Sequence, residues 1–426
     1  MIKFGAFKRF ALLVGAVLLC SCSGYNDDAR PQDNGMERLK KLRTGSVIPV
    51  SNTVSGYSAE SSSDRLNYSS QQGIWLSYID LAPMLTGDEY FFRAEFEKAC
   101  GNISDTGFNT IYLHVRPFGD ALYESKLYPA SEYLTAADGT LRFDMLETAC
   151  DIAHSYNLSV HAWINPLRCQ TKESLSVVSS YYKTAQWLSM GNGYIKEVEN
   201  SENLWLDPAY DEVRELIADG AAEIAENYDV DGIHYDDYFY PTTDEDFDAQ
   251  CYAQMSGGKT LSQWRTENIS EMCSNIYSAV KAADTQIEVG ISPQGNIENN
   301  YDFMYADVKR WCAEAGFCDY IVPQIYFGYE NSVKPFESTL RDWEDMMTSN
   351  VRLVAGLGAY KIGADDEFTR TEGIIAQQMS DAVSQGVCCG TAVYTYNSLF
   401  RPQADLSQRM AGELENIKTF LENQTV

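Results

Sequence analysis

The sequence predicts an α/β protein of the (β/α)8 TIM-barrel class, preceded by a signal peptide and a flexible linker. From Gly73 onward, short runs rich in β-prone residues alternate eight times with amphipathic helical patterns. The runs are apolar enough to be buried on both faces, which is typical of strands in a parallel sheet. Because no Gly-x-Gly-x-x-Gly turn follows the first run, a closed barrel is favoured over an open dinucleotide-binding sheet.

The eight predicted strands are spaced so that a loop and a helix fit between successive runs. They begin, in order, at Gly73, Phe108, Leu158, Val230, Ile287, Cys318, Val351 and Cys388. The clearest helix precedes the fourth run, with apolar side chains every three or four residues at Val213, Leu216, Ile217, Gly220, Ile224 and Tyr228. Further helices are predicted around 96–103, 145–156, 264–282, 308–315, 340–347, 374–383 and 410–421.

The N-terminal part of the chain predicts export and lipid attachment. A basic segment and an apolar run too short to span a membrane end in Leu19-Cys20-Ser21-Cys22. This ending resembles a bacterial lipobox, so residues 1–21 are predicted to be a lipoprotein signal peptide and Cys22 the lipidated residue. The polar residues 22–70 predict a flexible tether, and residues 71–426 a folded domain. The alternative is plain secretion with an incidental cysteine.

Composition excludes nucleic acid as a partner and makes a metal site improbable. The chain has 61 acidic and 32 basic residues, a formal net charge of −29, and no basic stripe that would neutralise phosphates. Its 11 cysteines include no Cys-x-x-Cys pair, so neither a disulfide framework nor a zinc site is expected. The histidines of the predicted strands lack a convincing metal-binding spacing. No cofactor is expected.

The fourth run ends in two adjacent carboxylates, Asp236 and Asp237, surrounded by aromatic residues. Side chains alternate along a strand, so Gly232, His234 and Asp236 share one face. A buried carboxylate is costly unless it is hydrogen-bonded or functional. The pattern therefore predicts that Asp236 faces a common centre with His234 one step below it. The alternative interpretation is a solvated Asp-Asp pair at a strand–loop junction.

Polar and aromatic side chains also follow most of the other runs. Functional sites of (β/α)8 barrels lie at the C-terminal ends of the strands, so we expect these residues to converge on one cleft with Asp236. The predicted cleft residues are Arg116, His161, Trp163, Asn165, His234, Ser292, Gln324, Tyr326 and Tyr396.

Such a rim suits a sugar, because aromatic faces stack on pyranose rings while amides and guanidinium groups bind hydroxyls. Glycosidic cleavage requires two carboxyls, one protonated and one ionised. Asp236 is predicted to be the ionised one. The proton donor is left open among Asp237, Glu298, Glu330 and Glu124, and the last three lie in loops after strand ends.

Seven segments together resemble glycosyl-hydrolase-like family 10, from about Gly73 to past Trp343. They read GIWLSYIDL, HVRPFGDALYESKLYP, VHAWINPLR, WLDPAYDEVRE, YDVDGIHYDDYFYP, GISPQGN and DYIVPQIYFGY. The resemblance implies a TIM-barrel glycoside hydrolase, and some members of that family are associated with cleavage of peptidoglycan glycan strands. The segment from Gly232 to Asp236 also resembles the fourth-strand motif of α-amylase-type enzymes, in which the Asp is the nucleophile and an Arg replaces His234.

The sequence therefore predicts a glycoside hydrolase that cleaves O-glycosidic bonds of a cell-envelope glycan, such as peptidoglycan strands, or of another polysaccharide. Its predicted partners are an oligo- or polysaccharide and a bacterial membrane, the outer one in this interpretation, reached through the N-terminal lipid. The alternative is a barrel lipoprotein that binds carbohydrate and has lost catalysis. The carboxylate pair Asp236 and Asp237 favours the enzyme.

Overall fold

The computed structural model describes residues 65–348 and 351–424. Its strands are Gln72–Leu76 (β1), Thr110–Arg116 (β2), Ser159–Ile164 (β3), Arg168–Thr171 (β4), Ile195–Glu197 (β5), Asn203–Leu206 (β6), Gly232–Tyr235 (β7), Glu288–Ile291 (β8), Tyr320–Ile321 (β9), Arg352–Gly358 (β10) and Cys388–Tyr394 (β11). Eight of them pair in parallel and close into a barrel, in the order β1-β11-β10-β9-β8-β7-β3-β2. Each predicted run contains or overlaps one of these eight, so the (β/α)8 barrel is confirmed.

Helices connect the barrel strands and cover the barrel's outer surface. They are Tyr78–Leu81 (α1), Glu89–Thr106 (α2), Met145–Ser155 (α3), Lys172–Ser176 (α4), Lys183–Met190 (α5), Asp211–Asn227 (α6), Ala249–Met255 (α7), Leu261–Ala283 (α8), Ile297–Asp302 (α9), Val308–Ala313 (α10), Phe336–Glu344 (α11), Asp366–Arg370 (α12), Ile374–Ser384 (α13), Tyr396–Phe400 (α14) and Ser407–Gln424 (α15). Every predicted helical pattern coincides with or overlaps one of them. None of the helices in the described residues is long and apolar enough to span a membrane.

The barrel strands bury both faces, and the two faces have different compositions. Outward-facing residues such as Ile74 and Ile233 join the large apolar core beneath the helices. The interior instead holds the bulky rings of Trp75, Tyr112, Trp163 and Tyr320.

Glycines on neighbouring strands make room for the bulky interior rings. A Cβ atom on Gly290 would lie 1.9 Å from Cζ of Tyr320, and one on Gly232 would lie 2.3 Å from Nδ1 of His161. Bulky rings and glycines thus alternate in the interior, and together they fill it as expected for a packed barrel core.

A second, smaller sheet was not predicted from the sequence. Strands β4, β6 and β5 pair antiparallel in that order, within the long connection between β3 and α6. They contain only three or four residues each, too few for an alternating pattern to stand out. The sheet contributes to the site, because Trp205 of β6 packs against Tyr238 with ring centroids 5.8 Å apart.

The predicted signal peptide, residues 1–21, and the predicted lipidation site, Cys22, lie outside the described residues. So does most of the predicted tether, residues 22–70. Its last part, residues 65–70, contacts the end of the barrel at which the strands begin. The folded part of the chain therefore includes at least Arg65, six residues before the predicted boundary.

Hydrogen bonds to polar groups hold residues 65–70 on the barrel. The backbone N–H of Leu66 donates to Oδ1 of Asp231 over 2.6 Å. The hydroxyl of Tyr68 donates to the carbonyl of Asn157 over 2.7 Å. The groups that hold residues 65–70 are polar, so hydrophobic periodicity gives no signal for these contacts.

Candidate active site

Asp236 and Asp237 follow the last residue of β7 directly, at the mouth of the barrel where the strands end. Each is only 2% exposed. The backbone N–H of Tyr238 donates to Oδ1 of Asp236 over 3.4 Å. The backbone N–H of Phe239 donates to the carbonyl of Asp237 over 2.9 Å, and this turn takes the chain out of the strand. The strand thus ends before Asp236, so strand alternation no longer fixes the direction of either carboxylate.

A glutamine from the neighbouring strand end holds Asp237. The side-chain Nε2 of Gln324 donates to Oδ1 of Asp237 over 3.2 Å and to the carbonyl of Ser292 over 3.0 Å. These three residues follow β7, β9 and β8. The structure therefore brings together the ends of the fourth, fifth and sixth predicted runs, as expected for a single cleft.

Trp163, near the end of β3 in the barrel interior, and Asn165, just after β3, serve largely as packing residues. Trp163 stacks face to face on His114, with ring centroids 3.7 Å apart and an interplanar angle of 12°. One face of the indole is therefore covered. Asn165 donates from Nδ2 to the carbonyl of Pro117 over 3.1 Å, which joins the loops after β2 and β3.

Tyr326 lies two residues beyond Gln324, at the rim of the mouth. Its ring stacks on Tyr394 from the end of β11, with centroids 5.9 Å apart. Both rings are partly exposed. The structure therefore places Tyr326 beside Tyr394, and its role in substrate binding stays a prediction.

Arg116 does not lie in the cleft, contrary to expectation. His114 pairs with Trp163, but Arg116 pairs with Ile164, so β2 contains one extra residue at its end. This bulge shifts the alternation and turns Arg116 outward with Ile164. Its guanidinium lies 4.2 Å from the ring centroid of Tyr128.

Helix α6 covers the outward-facing Arg116. A Cβ atom on Gly220 of that helix would lie 2.3 Å from Nη1 of Arg116. Arg116 is therefore a buried cation between the barrel and a helix, and no sugar can reach it.

His161 and His234 lie on the predicted inward face but below the cleft, fully buried. The indole N–H of Trp75 donates to Nε2 of His234 over 3.1 Å. The hydroxyl of Tyr320 lies 3.1 Å from Nδ1 of His234 and 2.6 Å from Nδ1 of His161. Because these nitrogens already have partners in the core, the prediction that both histidines bind substrate is corrected.

Burial keeps both histidines neutral. Desolvation lowers the pKa of His161 to about 3 and that of His234 well below its ordinary value. An indole N–H only donates, so Nε2 of His234 accepts, Nδ1–H of His234 donates to Tyr320, and Tyr320 donates to Nδ1 of His161. The result is one directed chain of hydrogen bonds beneath Asp236.

Ser292 and Tyr396 also serve the scaffold, contrary to their predicted roles. The buried hydroxyl of Ser292 donates to the carbonyl of Val322 over 2.8 Å and ties β8 to β9. Tyr396 lies in α14, and its hydroxyl accepts a hydrogen bond of 2.9 Å from Nδ2 of Asn102 in α2. Because β11 ends at Tyr394 and a helix begins at Tyr396, the alternation that would pair these two tyrosines is lost.

The glutamates proposed as proton donors are poorly suited to that role. Lys334 lies 2.5 Å from Glu298 and lowers its pKa, the wrong direction for an acid that must be protonated near neutral pH. Glu330 pairs with Arg370, and its side chain is 68% exposed. Glu124 is likewise exposed. Of the four candidates, Asp237 alone is buried at the mouth.

Sequence reasoning missed Arg168, the first residue of β4. Its guanidinium lies 4.1 Å from the ring centroid of Tyr238 and 4.5 Å from that of Phe118. Its Nε donates to the carbonyl of Pro117 over 3.1 Å. It places a positive charge beside Tyr238, whose N–H donates to Asp236. One sequence feature could have pointed to Arg168: it lies two residues after Pro166 in the third run, within the segment VHAWINPLR that resembles the family.

Among residues 65–348 and 351–424, no group of three or more His, Cys, Asp or Glu side chains is arranged to hold a metal ion. The site therefore consists of two buried carboxyls, amide donors and aromatic rings at the mouth of a parallel barrel. That architecture defines the TIM-barrel class of glycoside hydrolases.

Solved structures share this fold. The glycoside hydrolase domain of PgaB (BpsB) from Bordetella bronchiseptica superposes with a TM-score of 0.52 at 12% identity, over 80% of this chain and 98% of that chain. The catalytic domain of β-amylase from Paenibacillus polymyxa also gives a TM-score of 0.52, at 13% identity, over 82% of this chain and 98% of that chain. At this identity the similarity establishes the fold alone.

The chain belongs to the family glycosyl hydrolase-like 10, whose model matches residues 71–371. It is 27% identical over 390 residues to the glycosyl hydrolase DigH of Escherichia coli K12, covering 84% of each chain. It is 32% identical over 298 residues to the glycosyl hydrolase YngK of Bacillus subtilis 168, over 63% of this chain and 56% of that relative. The predicted family and the assignment as a glycoside hydrolase are confirmed.

Proposed function

We propose that the protein hydrolyses O-glycosidic bonds of a cell-envelope glycan, such as the glycan strands of peptidoglycan, with Asp236 and Asp237 as its catalytic pair. The observation that carries the proposal is the burial of both carboxyls at the barrel mouth, each 2% exposed, with Gln324 bonded to one of them. Asp236 accepts a hydrogen bond from the N–H of Tyr238 and Asp237 accepts one from Nε2 of Gln324, so the two carboxyls have different surroundings.

In this mechanism the two carboxyls have different roles. Asp236 is the ionised group that stabilises the positive charge developing at the anomeric carbon. Asp237 gives its proton to the glycosidic oxygen as the bond to the leaving sugar breaks. Gln324 donates to Oδ1 of Asp237, which is compatible with a proton carried on Oδ2. Water supplies the hydroxyl that ends on the anomeric carbon and the proton that restores the acid.

The proposed location is the cell envelope, with the protein held on a bacterial membrane, the outer one, by a lipid on Cys22. The N-terminal sequence supports this proposal, because its lipobox-like ending is followed by a long polar stretch. The position of residues 65–70 is compatible with it: they approach the barrel at the strand beginnings, opposite the carboxylates.

The decisive experiment measures the release of reducing ends from peptide-free peptidoglycan glycan strands. We expect release by the wild type and almost none by Asp236→Asn. The matched control is Asp105→Asn, an exposed aspartate on α2, which should behave as the wild type. If the wild type binds the strands without releasing reducing ends, the barrel is a carbohydrate-binding protein and the proposed hydrolysis is wrong.

A further inference from the structure

Three tyrosines pack against one another as a triangle of rings at the barrel mouth. Tyr326 follows β9, Tyr360 follows β10 and Tyr394 ends β11. The ring centroids of Tyr326 and Tyr360 are 5.7 Å apart, those of Tyr360 and Tyr394 are 5.8 Å apart, and those of Tyr326 and Tyr394 are 5.9 Å apart. We refer to these three residues as the tyrosine wall.

The tyrosine wall adjoins the carboxylate pair. Tyr326 is two residues from Gln324, whose amide donates to Asp237. The ring of Tyr394 lies 6.1 Å from that of the buried Trp75, which forms part of the barrel interior. The tyrosine wall therefore contacts the barrel interior through Tyr394, and Tyr326 follows closely in the chain after the residue that holds Asp237.

The backbone is shaped to seat two of these rings. A Cβ atom on Gly358 would lie 3.1 Å from Cγ of Tyr326 and 3.1 Å from Cε1 of Tyr360. This is closer than side chains normally approach, so the missing side chain at Gly358 lets both rings lie against β10. Gly358 has a negative φ of −103°, so close approach rather than an unusual backbone conformation is the reason for glycine here.

The tyrosines of the wall are more exposed than the aromatic residues of the barrel core. Tyr112 and Tyr320 are completely buried in the barrel interior. Each tyrosine of the wall is instead partly exposed, and all three stand on the same side of the mouth. A merely structural cluster at the end of three strands would gain more stability by burying these rings.

We propose that Tyr326, Tyr360 and Tyr394 form a subsite that binds the apolar C–H face of one pyranose ring next to the bond being cleaved. This inference rests on the proposed function and narrows its substrate class to glycans of at least two sugar units. Aromatic faces suit this ligand, because the axial C–H groups of a pyranose present an apolar surface while its hydroxyls point outward.

The test uses Asp236→Asn protein, which keeps the strands intact, and calorimetric binding of peptide-free peptidoglycan glycan strands. In this background Tyr360→Ala should weaken binding about tenfold, the effect of losing one aromatic contact. Tyr360→Phe, which retains the ring, should stay within about twofold of the parent on the same scale. Tyr326→Ala provides a second variant, and the thermal midpoint of each variant shows that it folds.

The matched control is Tyr90→Ala, because Tyr90 is 82% exposed on α2 and far in sequence from the wall; it should not change binding. Unchanged affinity in both Tyr360→Ala and Tyr326→Ala would overturn the subsite, even if the wild type cleaves the strands. Tyrosine-dependent binding without cleavage by the wild type would keep the subsite and overturn the proposed hydrolysis. If the strands are neither bound nor cleaved, both proposals are overturned.

Discussion

Gln324 donates a hydrogen bond of 3.2 Å from Nε2 to Oδ1 of Asp237. The same amide nitrogen donates to the carbonyl of Ser292, so Asp237 is fixed against the ends of both β8 and β9. Asp236, one residue earlier, takes its hydrogen bond from the N–H of Tyr238 instead. Neighbouring carboxyls with different donors are suited to different roles.

We expect Gln324 to be a positioning residue for Asp237. Gln324→Ala should lower kcat about tenfold or more, within the range that a positioned proton donor contributes. Gln324→Glu should move the basic limb of the pH profile to higher pH, because an added negative charge favours the protonated form of Asp237. Gln377→Ala, at an exposed glutamine of α13, is the control. A pH profile of Gln324→Glu identical to that of the wild type would contradict this role.

Arg116 should matter for stability and not for substrate binding. Its guanidinium is buried against Tyr128 beneath α6. Removing the charge leaves a cavity and an unpartnered ring, so Arg116→Ala should lower the free energy of unfolding by about 2–4 kcal/mol. Denaturant unfolding measures this loss. The fraction that folds should bind glycan with unchanged affinity. A loss of affinity without loss of stability would show that Arg116 contacts the substrate.

His161 and His234 should stay neutral across the physiological range. Nitrogen NMR shifts should report His234 protonated on Nδ1 and His161 on Nε2, with no change between about pH 5 and 8, the range in which an unperturbed histidine titrates. The reason is the directed chain from Trp75 through Tyr320, together with complete burial. Titration of either ring near pH 6.5 would show that water reaches the barrel interior.

His154 links stability to pH at the opposite end of the barrel. Its Nε2 lies 2.8 Å from Oδ2 of Asp231, which also accepts from the N–H of Val160. Burial opposes protonation of His154, but the hydrogen bonds and charges of Asp229 and Asp231 outweigh it and raise its pKa to about 9. The stabilisation is therefore complete below about pH 6.5, the ordinary value, and is lost as the pH rises through about 9.

His154→Gln should accordingly lower the thermal midpoint at pH 6 by about 2–4 °C for each kcal/mol lost. The difference from the wild type should shrink as the pH rises through about 9. A constant difference from pH 6 to pH 10 would show that protonation of His154 does not contribute.

Much of the fold could be predicted because the barrel strands bury both faces and stand apart from helical periodicity. Residue placement at the strand ends was harder to predict. Alternation assigned His161 and His234 to the inward face correctly, but not their depth below the cleft. It failed for Arg116, where a bulge shifts the phase, and for Tyr396, where the strand has already ended. Sequence periodicity carries no information on either event.

The residues missed in the sequence depend on contacts between distant segments. Arg168 acquires its place only because β4 returns beside the mouth, where the guanidinium meets Tyr238. Tyr360 gains significance from Gly358 and from its neighbours in space, Tyr326 and Tyr394. These residues meet only because the barrel closes, so the sequence of a single strand does not show that they are neighbours.

Asp237 should act as the proton donor, and the dependence of the cleavage rate on the leaving group tests this role. Asp237→Asn should slow cleavage of glycan strands by about 10²–10⁴-fold, the usual contribution of a positioned acid. The rate of cleavage of an aryl glycoside of the same glycan fragment should fall much less, because its leaving group needs little protonation. Equal losses on both substrates would assign Asp237 to binding or support of Asp236.

The most direct test of the account compares the turnover of glycan strands by wild type and by Asp236→Asn, with binding of the strands measured in parallel. We predict a loss of about 10³-fold or more in kcat with binding retained, as expected when an essential carboxylate is replaced by its isosteric amide. Near-normal hydrolysis by Asp236→Asn would contradict the account and make Asp236 a binding residue.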